Sequence, residues 1–316
     1  MAFHPVLRSN DLLLTIFGMF VDQFHRNSTL AACALCCRAW REPAEMVLWS
    51  ELSSHTPLLK LLPVHEVDWM FCLQRRITSP EFGKFKKFAR RVRELTVDDT
   101  TIPMHASLSF CISHLSNGEI LFPSLRRLDF TIFASRDYAS PLFFLSPSIV
   151  DLRVRTYFRP IDGGTNWNDS YVGALFDVLG ASPKGTSGLR ELTLFVELTR
   201  DFPQLAEFKN LRGLRLREIH ISKASDLFHQ LPTLPNLADL SFSVQNLHLA
   251  DGIDGVRLRS LESLGILGPF STVTKVLHLL SAPKLETLDV SEGSGTMLDW
   301  RMFFTTVTTR FSPSLL

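Results

Sequence analysis

An apolar pattern that returns eight times constrains the fold of this chain more than any other feature of its sequence. Each copy has apolar residues at its first, fourth and sixth positions, and the copies start at Val92, Leu125, Ile149, Leu189, Leu211, Leu237, Leu261 and Leu285. The last two apolar positions of a copy alternate with polar ones, as in a short strand with one buried face. The later starts are 22 (189 to 211), 26 (211 to 237), 24 (237 to 261) and 24 (261 to 285) residues apart, a period typical of stacked repeats.

Helical segments return between the predicted strands, for example at 171–179, 224–231 and 272–280. One strand and one helix cannot bury their own apolar faces, so neighbouring copies must stack against one another. We therefore predict an α/β repeat solenoid with a short-stranded parallel sheet over residues 92–316.

The pattern resembles leucine-rich-repeat arrays, in an irregular form. Standard repeats of that family place Asn or Cys three residues after the third apolar position, and none of the eight copies has either residue there. The turns must then satisfy their backbone groups in another way. The segment Phe311-Ser312-Pro313-Ser314-Leu315 repeats the sequence that leads into earlier copies, so we expect the chain to end inside a ninth repeat.

Before the repeats, the sequence predicts three short helices. The first starts at Leu12 behind a Ser9 cap and extends to Phe24, the second follows a Ser28 cap, and Pro43 opens the third. The first helix is apolar on several sides. Three helices of this size form a small core, so we expect an uncovered apolar patch, which usually marks a partner surface.

This N-terminal part resembles an F-box, the adaptor-binding module of ubiquitin-ligase substrate receptors. The matching pieces are Asp11 to Phe17, Leu30 to Trp40 and Leu48 to Leu52. Many F-boxes have Leu-Pro just before the acidic residue, whereas this chain has Arg8-Ser9 there and its nearest proline is Pro5. We assign residues 4–62 to this module.

The resemblance implies that the module binds a Skp-family adaptor and, through it, a cullin. It also implies that the repeats present an unknown target protein, so that the chain is a non-catalytic substrate receptor of a cullin-RING ubiquitin ligase. The alternative is a leucine-rich-repeat interaction scaffold that never joins a ligase. The residues predicted to face or support the adaptor are Pro5, Leu12, Leu13, Ile16, Phe17, Leu30, Leu35, Trp40, Leu48 and Trp49.

Residues 63–91 are predicted to be a connector followed by a basic helix. Six Lys and Arg residues lie between Lys84 and Arg93, which could form a nucleic-acid or nuclear-import patch. The same stretch places Phe82, Phe85 and Val92 at helical spacing. That spacing favours a capping helix whose charges are solvated.

Composition argues against several classes of partner. The 33 basic and 32 acidic residues leave a formal charge of +1, so bulk electrostatics favours neither nucleic acid nor a membrane. No apolar run reaches about 18 residues, and no signal peptide precedes the first helix. Five cysteines, three of them clustered, do not form a disulfide framework. We expect a reducing compartment, cytoplasmic and/or nuclear.

Catalytic and metal motifs are not found in the sequence. Cys33, Cys36 and Cys37 could suggest zinc or redox chemistry, but no second Cys or His pair stands at finger spacing. We therefore expect no enzyme activity, no metal and no cofactor.

The strand pattern also yields a weaker prediction about target binding. Four arginines on middle strands should project from the same sheet face as Glu94, Asp129, Glu191 and Asp239. They could bind a carboxylate or phosphate of the target by donating paired N–H groups to it. A mixed, solvated surface is the alternative. These arginines are Arg153, Arg155, Arg215 and Arg217.

Overall fold

A computed structural model describes most of the chain. The described residues are 9–20, 25–98, 104–133, 142–157, 175–176, 188–195, 204–217, 224–244, 255–291 and 294–311. Within them the α-helices are α1 (Asn10–Gly18), α2 (Arg26–Cys36), α3 (Arg38–Leu48), α4 (Thr56–Leu59), α5 (Ser79–Ala89), α6 (Ala106–Ser116), α7 (Ala224–Gln230), α8 (Phe270–Leu279) and α9 (Met297–Arg310). Pro5 and residues 312–316 lie outside the described residues.

The strands form one large parallel sheet and two small pairs. They are β1 (Glu51–Leu52), β2 (Val64–Val67), β3 (Met70–Leu73), β4 (Glu94–Asp98), β5 (Arg127–Phe133), β6 (Asp151–Tyr157), β7 (Glu191–Phe195), β8 (Gly213–Arg217), β9 (Asp239–Ser243), β10 (Val256–Arg257), β11 (Ser263–Leu267), β12 (Leu280–Ser281) and β13 (Thr287–Ser291). The large sheet has the order β1-β4-β5-β6-β7-β8-β9-β11-β13.

The strand register confirms the eight predicted copies. In the large sheet, each strand from β4 onwards has a leucine as its second residue, and the eight leucines stand opposite one another: Leu95, Leu128, Leu152, Leu192, Leu214, Leu240, Leu264 and Leu288. Because strand side chains alternate between faces, this register places one apolar residue of every copy in the same buried row. The chain is a leucine-rich-repeat-like solenoid.

A backbone hydrogen bond repeated at every step holds neighbouring copies together. The carbonyl just before one strand accepts two N–H groups from the start of the next copy. Arg126 and Arg127, for example, both donate to the carbonyl of Arg93, at 2.7 and 3.0 Å. The carbonyls that accept in this way are those of Ser50, Arg93, Arg126, Val150, Arg190, Arg212, Ala238 and Glu262. This shared acceptor satisfies the backbone N–H groups at the start of each copy's strand.

The sheet begins one strand earlier than the sequence pattern predicts. In β1, Glu51 and Leu52 pair in parallel with Glu94 and Leu95. The third apolar position of this copy is occupied by Ser54, so the pattern did not reveal it.

Two separate hydrophobic cores lie on either side of the boundary between α3 and β1. Leu13, Phe17, Leu30 and Ala44 form a small core within the three N-terminal helices. All other buried apolar residues of the described chain belong to the core of the repeats, including Leu58, Leu59 and Leu62. These three leucines fall inside the predicted module, 4–62, yet they pack with the repeats.

The helix boundaries in the N-terminal part differ from those predicted. His25, not Ser28, stands at the N-cap of α2, and Ser28 donates from inside the helix to the His25 carbonyl, at 2.8 Å. The chain breaks at Cys37, whose extended backbone (φ −158°, ψ 163°) separates α2 from α3. Pro43 therefore lies inside α3. Pro43 has no N–H, so the intrahelical hydrogen bond that this position would donate is absent.

The predicted connector contains a β-hairpin that the sequence did not indicate. Strands β2 and β3 pair antiparallel, and their turn residues Asp68 and Trp69 both have positive φ, 48° and 62°. The basic helix, α5, is present as predicted, with Phe82, Phe85 and Ala89 buried. Lys86 and Arg91 are held in ion pairs with acidic residues of the same chain.

Candidate functional site

The three N-terminal helices bury a compact apolar centre. Helix α3 packs against both α1 and α2. The ring of Trp40 meets Phe17 edge to face, with centroids 5.9 Å apart and planes at 74°. Leu13 and Leu30 are buried in the same core. The module is thus a small folded unit that does not need the repeats to cover its own centre.

Four large apolar side chains at α1 and α2 are exposed outside that core, and Met46 on α3 is exposed as well. Leu12 and Ile16 on α1 are 46% and 39% exposed, Met19 at the C-cap of α1 is 74% exposed, and Leu35 on α2 is 87% exposed. The α1 residues are spaced four and three apart, so they lie on one face of the helix. We call these four residues the exposed apolar set. Single exposed apolar residues are ordinary, but several on one short helix indicate a surface that another molecule covers.

The predicted adaptor residues differ in their exposure and in the core that they contact. Leu12, Ile16 and Leu35 are exposed, and Leu13, Phe17 and Leu30 are buried in the module core. Trp40 and Leu48 are half-buried against that core, whereas Trp49 packs against the core of the repeats. Met19 is exposed and was not predicted, although its position one helical turn after Ile16 could have indicated it.

A joint of ion pairs and rings fixes the helical module to the repeats. Arg91, which follows α5, reaches Glu42 at 3.0 Å and Glu45 at 3.1 Å on α3. Burial alone would raise the pKa of Glu45, but hydrogen bonds from Arg41 and Arg91 hold it below its ordinary value. The ring of Trp49 lies 4.4 Å from that of Phe88 on α5. The module is therefore attached at a defined orientation.

A second part of the candidate site is the polar face of the sheet, where the four predicted arginines lie. Three of the four arginines form ion pairs with Asp or Glu side chains of the same sheet. Arg153 contacts Asp151 at 3.2 Å, and Arg155 contacts Asp129 at 3.1 Å. The guanidinium of Arg215 lies between Glu191, at 3.7 Å, and Asp239. These ion pairs lie within the sheet, so the three paired arginines are less available to bind a target.

Arg217 differs from the other three arginines. It is exposed, and the described residues provide it with no acidic partner. Its guanidinium lies 5.6 Å from the ring centre of Phe195, which Arg155 also approaches at 5.7 Å.

Burial raises the pKa of both Asp129 and Glu191 on the same face, against the lowering effect of their arginine partners.

A cavity of about 500 Å³ lies where the start of α2 faces the first strands of the sheet. Its lining is mostly polar, and its charged residues pair with one another, as Arg26 does with Glu51 at 2.9 Å and Arg127 with Glu94 at 2.9 Å.

The cysteines and histidines show no metal site in the described part of the chain. No group of three or more His, Cys, Asp or Glu residues could hold an ion there. Burial raises the pKa of the Cys33 thiol, with a smaller contribution from Cys36, which makes that thiol less reactive. Within the same residues no helix is long and apolar enough to cross a membrane.

Comparisons with known proteins give no family assignment. No protein-family model matches the chain, and no curated protein matches it. Among solved structures, the chain is similar to an internalin from Listeria monocytogenes, with 12% sequence identity and a TM-score of 0.35 over 91% of this chain and 94% of that one. The assignment of a repeat solenoid rests on the strand pairing of the large sheet.

Proposed function

We propose that this protein is a non-catalytic substrate receptor of a cullin-RING ubiquitin ligase. In this proposal α1 to α3 act as an F-box that binds a Skp-family adaptor, and the repeats bind a target protein. The target would be held near a conjugating enzyme, which raises the effective concentration of the reacting groups. Such a receptor would work in the cytoplasm and/or the nucleus.

The observation that carries this proposal is the exposed apolar set. The module has its own core, formed by Leu13, Phe17 and Leu30, and it still leaves Leu12, Ile16 and Leu35 in solvent. A partner that covers them would recover about 25 cal/mol for each Å² of apolar surface removed from water. Because the same residues resemble an F-box, the partner that we propose for this surface is a Skp-family adaptor.

The rigid joint between the module and the repeats supports the same proposal. A receptor that positions a target needs a fixed geometry between its two binding surfaces. The contacts of Arg91 with Glu42 and Glu45, together with the packing of Trp49 on Phe88, would supply that geometry.

A binding experiment with matched variants tests the adaptor contact. Ile16→Asp changes an exposed residue of α1, so the fold should survive, and we expect the affinity for a purified Skp-family adaptor to fall at least about tenfold. Ile120→Asp is the control, because Ile120 is exposed to a similar degree outside the module. Leu13→Asp is unsuitable, since it would place a charge in the module core.

The results separate the two candidate functions. Loss of adaptor binding in Ile16→Asp but not in Ile120→Asp supports the receptor. If the wild-type chain binds no Skp-family adaptor while it still captures a target through the repeats, the chain is an interaction scaffold. For the target surface, charge reversal at Arg215 and Arg217 that leaves the affinity of every identified target unchanged would remove the arginines from the proposal.

A further inference from the structure

A row of exposed arginines runs along the rim of the large sheet at which the strands begin. The residue just before the strand is an arginine in β4, β5, β7 and β8, and in β6 it is Val150. The four arginines, all exposed, are Arg93, Arg126, Arg190 and Arg212. They differ from the arginines of the polar sheet face, which lie within the strands.

Backbone hydrogen bonds fix the spacing of this row. The N–H of each residue in this position donates to the carbonyl of the same position in the preceding copy, as Arg126 does to Arg93 and Arg212 to Arg190, both at 2.7 Å. Adjacent positions are therefore one strand spacing apart, and the row from Arg93 to Arg212 is about 19 Å long.

The positive charge of the row is not compensated by the described residues. No acidic side chain among them forms an ion pair with any of the four arginines. Glu94 and Asp151, which begin β4 and β6, pair with Arg127 instead. Like charges on adjacent strands disfavour one another, so this rim favours a ligand that brings negative charge.

The same rim is acidic at its other end. Ala238 precedes β9, and Glu262 and Glu286 precede β11 and β13. Both glutamates are exposed and have no ion-pair partner in the part of the chain that the structure describes. A nucleic acid, which is negative along its whole length, would be attracted at one end and repelled at the other. A protein segment can carry both signs in the matching order.

The arginines lie on interior copies of the solenoid. Each of the strands β4, β5, β7 and β8 pairs with a strand on either side, so stacking of a further repeat does not cover them. From Arg93 to Glu286 the rim is seven strand spacings long, about 34 Å, which is the length of about ten residues of extended chain.

We propose that this charged rim, made of Arg93, Arg126, Arg190, Arg212, Glu262 and Glu286, binds an extended segment of the target protein that is acidic in its first part and basic in its second, or the reverse. Carboxylates of the segment accept N–H groups from the arginines, and its basic side chains pair with the two glutamates. This inference rests on the target-binding part of the proposed function, and it assigns the chemistry of the segment that the repeats recognise.

A synthetic peptide with this charge order tests the proposal. In Glu-Ser-Glu-Ser-Glu-Ser-Glu-Ser-Lys-Ser-Lys, alternate residues place all charges on one side of an extended chain, with acids over about 20 Å and lysines beyond. With a fluorescent label, we expect saturable binding to the full chain at low salt, measured by anisotropy and weakened by added salt. The control peptide, Glu-Ser-Lys-Ser-Glu-Ser-Glu-Ser-Lys-Ser-Glu, has the same composition without the charge order and should bind at least about threefold more weakly.

Charge reversal in the rim should weaken the first peptide. The double variant Arg126→Glu with Arg190→Glu changes two exposed residues, and we expect the affinity to fall about tenfold or more. Arg76→Glu is the matched control and should leave the affinity unchanged. Arg76 is exposed and precedes α5, whereas Arg93 follows α5, so a helix of about 16 Å separates it from the rim.

A gain of binding distinguishes the rim from a general effect on the fold. An all-acidic peptide, with Glu in place of both lysines, should bind the wild-type chain more weakly than the first peptide. The double variant Glu262→Lys with Glu286→Lys should bind this all-acidic peptide at least about threefold more tightly than the wild-type chain does.

Three results would overturn the proposal. They are the absence of saturable peptide binding to the wild-type chain, equal affinities for all peptides and variants, and tighter binding of a single-stranded oligothymidine of the same length, which would assign the rim to nucleic acid. Adaptor affinity, measured on the same proteins, separates this proposal from the adaptor contact. A chain that binds the adaptor but not the peptide overturns only the rim proposal, and one that binds the peptide but no adaptor supports the rim and is a scaffold.

Discussion

His55 provides a test of the core of the repeats through pH. The residue is buried at the start of α4, and its ring meets Phe144 edge to face with centroids 6.3 Å apart. Neither ring nitrogen has a hydrogen-bond partner among the residues that the structure describes. Burial lowers the pKa of His55 from 6.5 to about 4, against a small opposing effect of the Asp98 carboxylate.

The sign of the effect follows from the two protonation states. Above pH 6.5 the imidazole is neutral in both the folded and the unfolded chain, so the free energy of unfolding does not depend on it. Between pH 6.5 and 4 the unfolded chain binds a proton that the folded chain does not, and stability falls as pH falls. A pKa difference of about 2.5 corresponds to about 3 kcal/mol.

Urea denaturation from pH 7.5 to 4.5, followed by circular dichroism, measures this dependence. The quantity compared is the slope of the free energy of unfolding against pH. In the lower part of this range we expect the slope for the wild-type chain to exceed the slope for His55→Leu by about 1.4 kcal/mol per pH unit. Carboxylates titrate in both proteins and cancel in the difference. Parallel curves for the two proteins between pH 6.5 and 4.5 would refute the burial of a neutral imidazole.

Two further predictions concern the joint and the repeats, and urea denaturation at pH 7.5 checks both. Arg91→Met removes the ion pairs to α3 and should lower the free energy of unfolding by about 2 kcal/mol, whereas Arg90→Met, at an exposed site, should change it by less than about 0.5 kcal/mol. Gly268 has φ +153°, and a Cβ there would lie 2.7 Å from a methyl of Val244, so Gly268→Ala should cost about 2 kcal/mol. Gly83→Ala in α5, where a Cβ meets open space, should instead stabilise the chain by about 0.5 kcal/mol. Equal effects within either pair would contradict the contacts described here.

The strands could be predicted from the sequence because each of them must place an apolar residue in the same buried row. Leu128, Leu214 and Leu264 stand in one buried row, so the row appears in the sequence as a spacing. Strand β1 has the same role, but the third apolar position of its copy is Ser54, and the spacing alone did not reveal it. The hairpin between β2 and β3 turns at Asp68 and Trp69, a pair without the glycine that usually marks such turns.

The candidate site was less predictable for a physical reason. Leu12 and Ile16 are spaced four residues apart, and so are Leu13 and Phe17, so both pairs satisfy the same helical period. Only the packing against α3 decides that the second pair is buried and the first exposed. The break between α2 and α3 at Cys37 was also hard to predict, because the sequence has no glycine or proline at that point to indicate it.

Amide hydrogen exchange of the full chain, with and without a purified Skp-family adaptor, tests the central claim most directly. We expect the adaptor to slow exchange in α1 and α2, where Leu12, Ile16 and Leu35 are exposed, and to leave exchange in β7 to β9 unchanged. An adaptor at saturating concentration that leaves exchange in α1 and α2 unchanged would contradict the claim that an adaptor covers this surface.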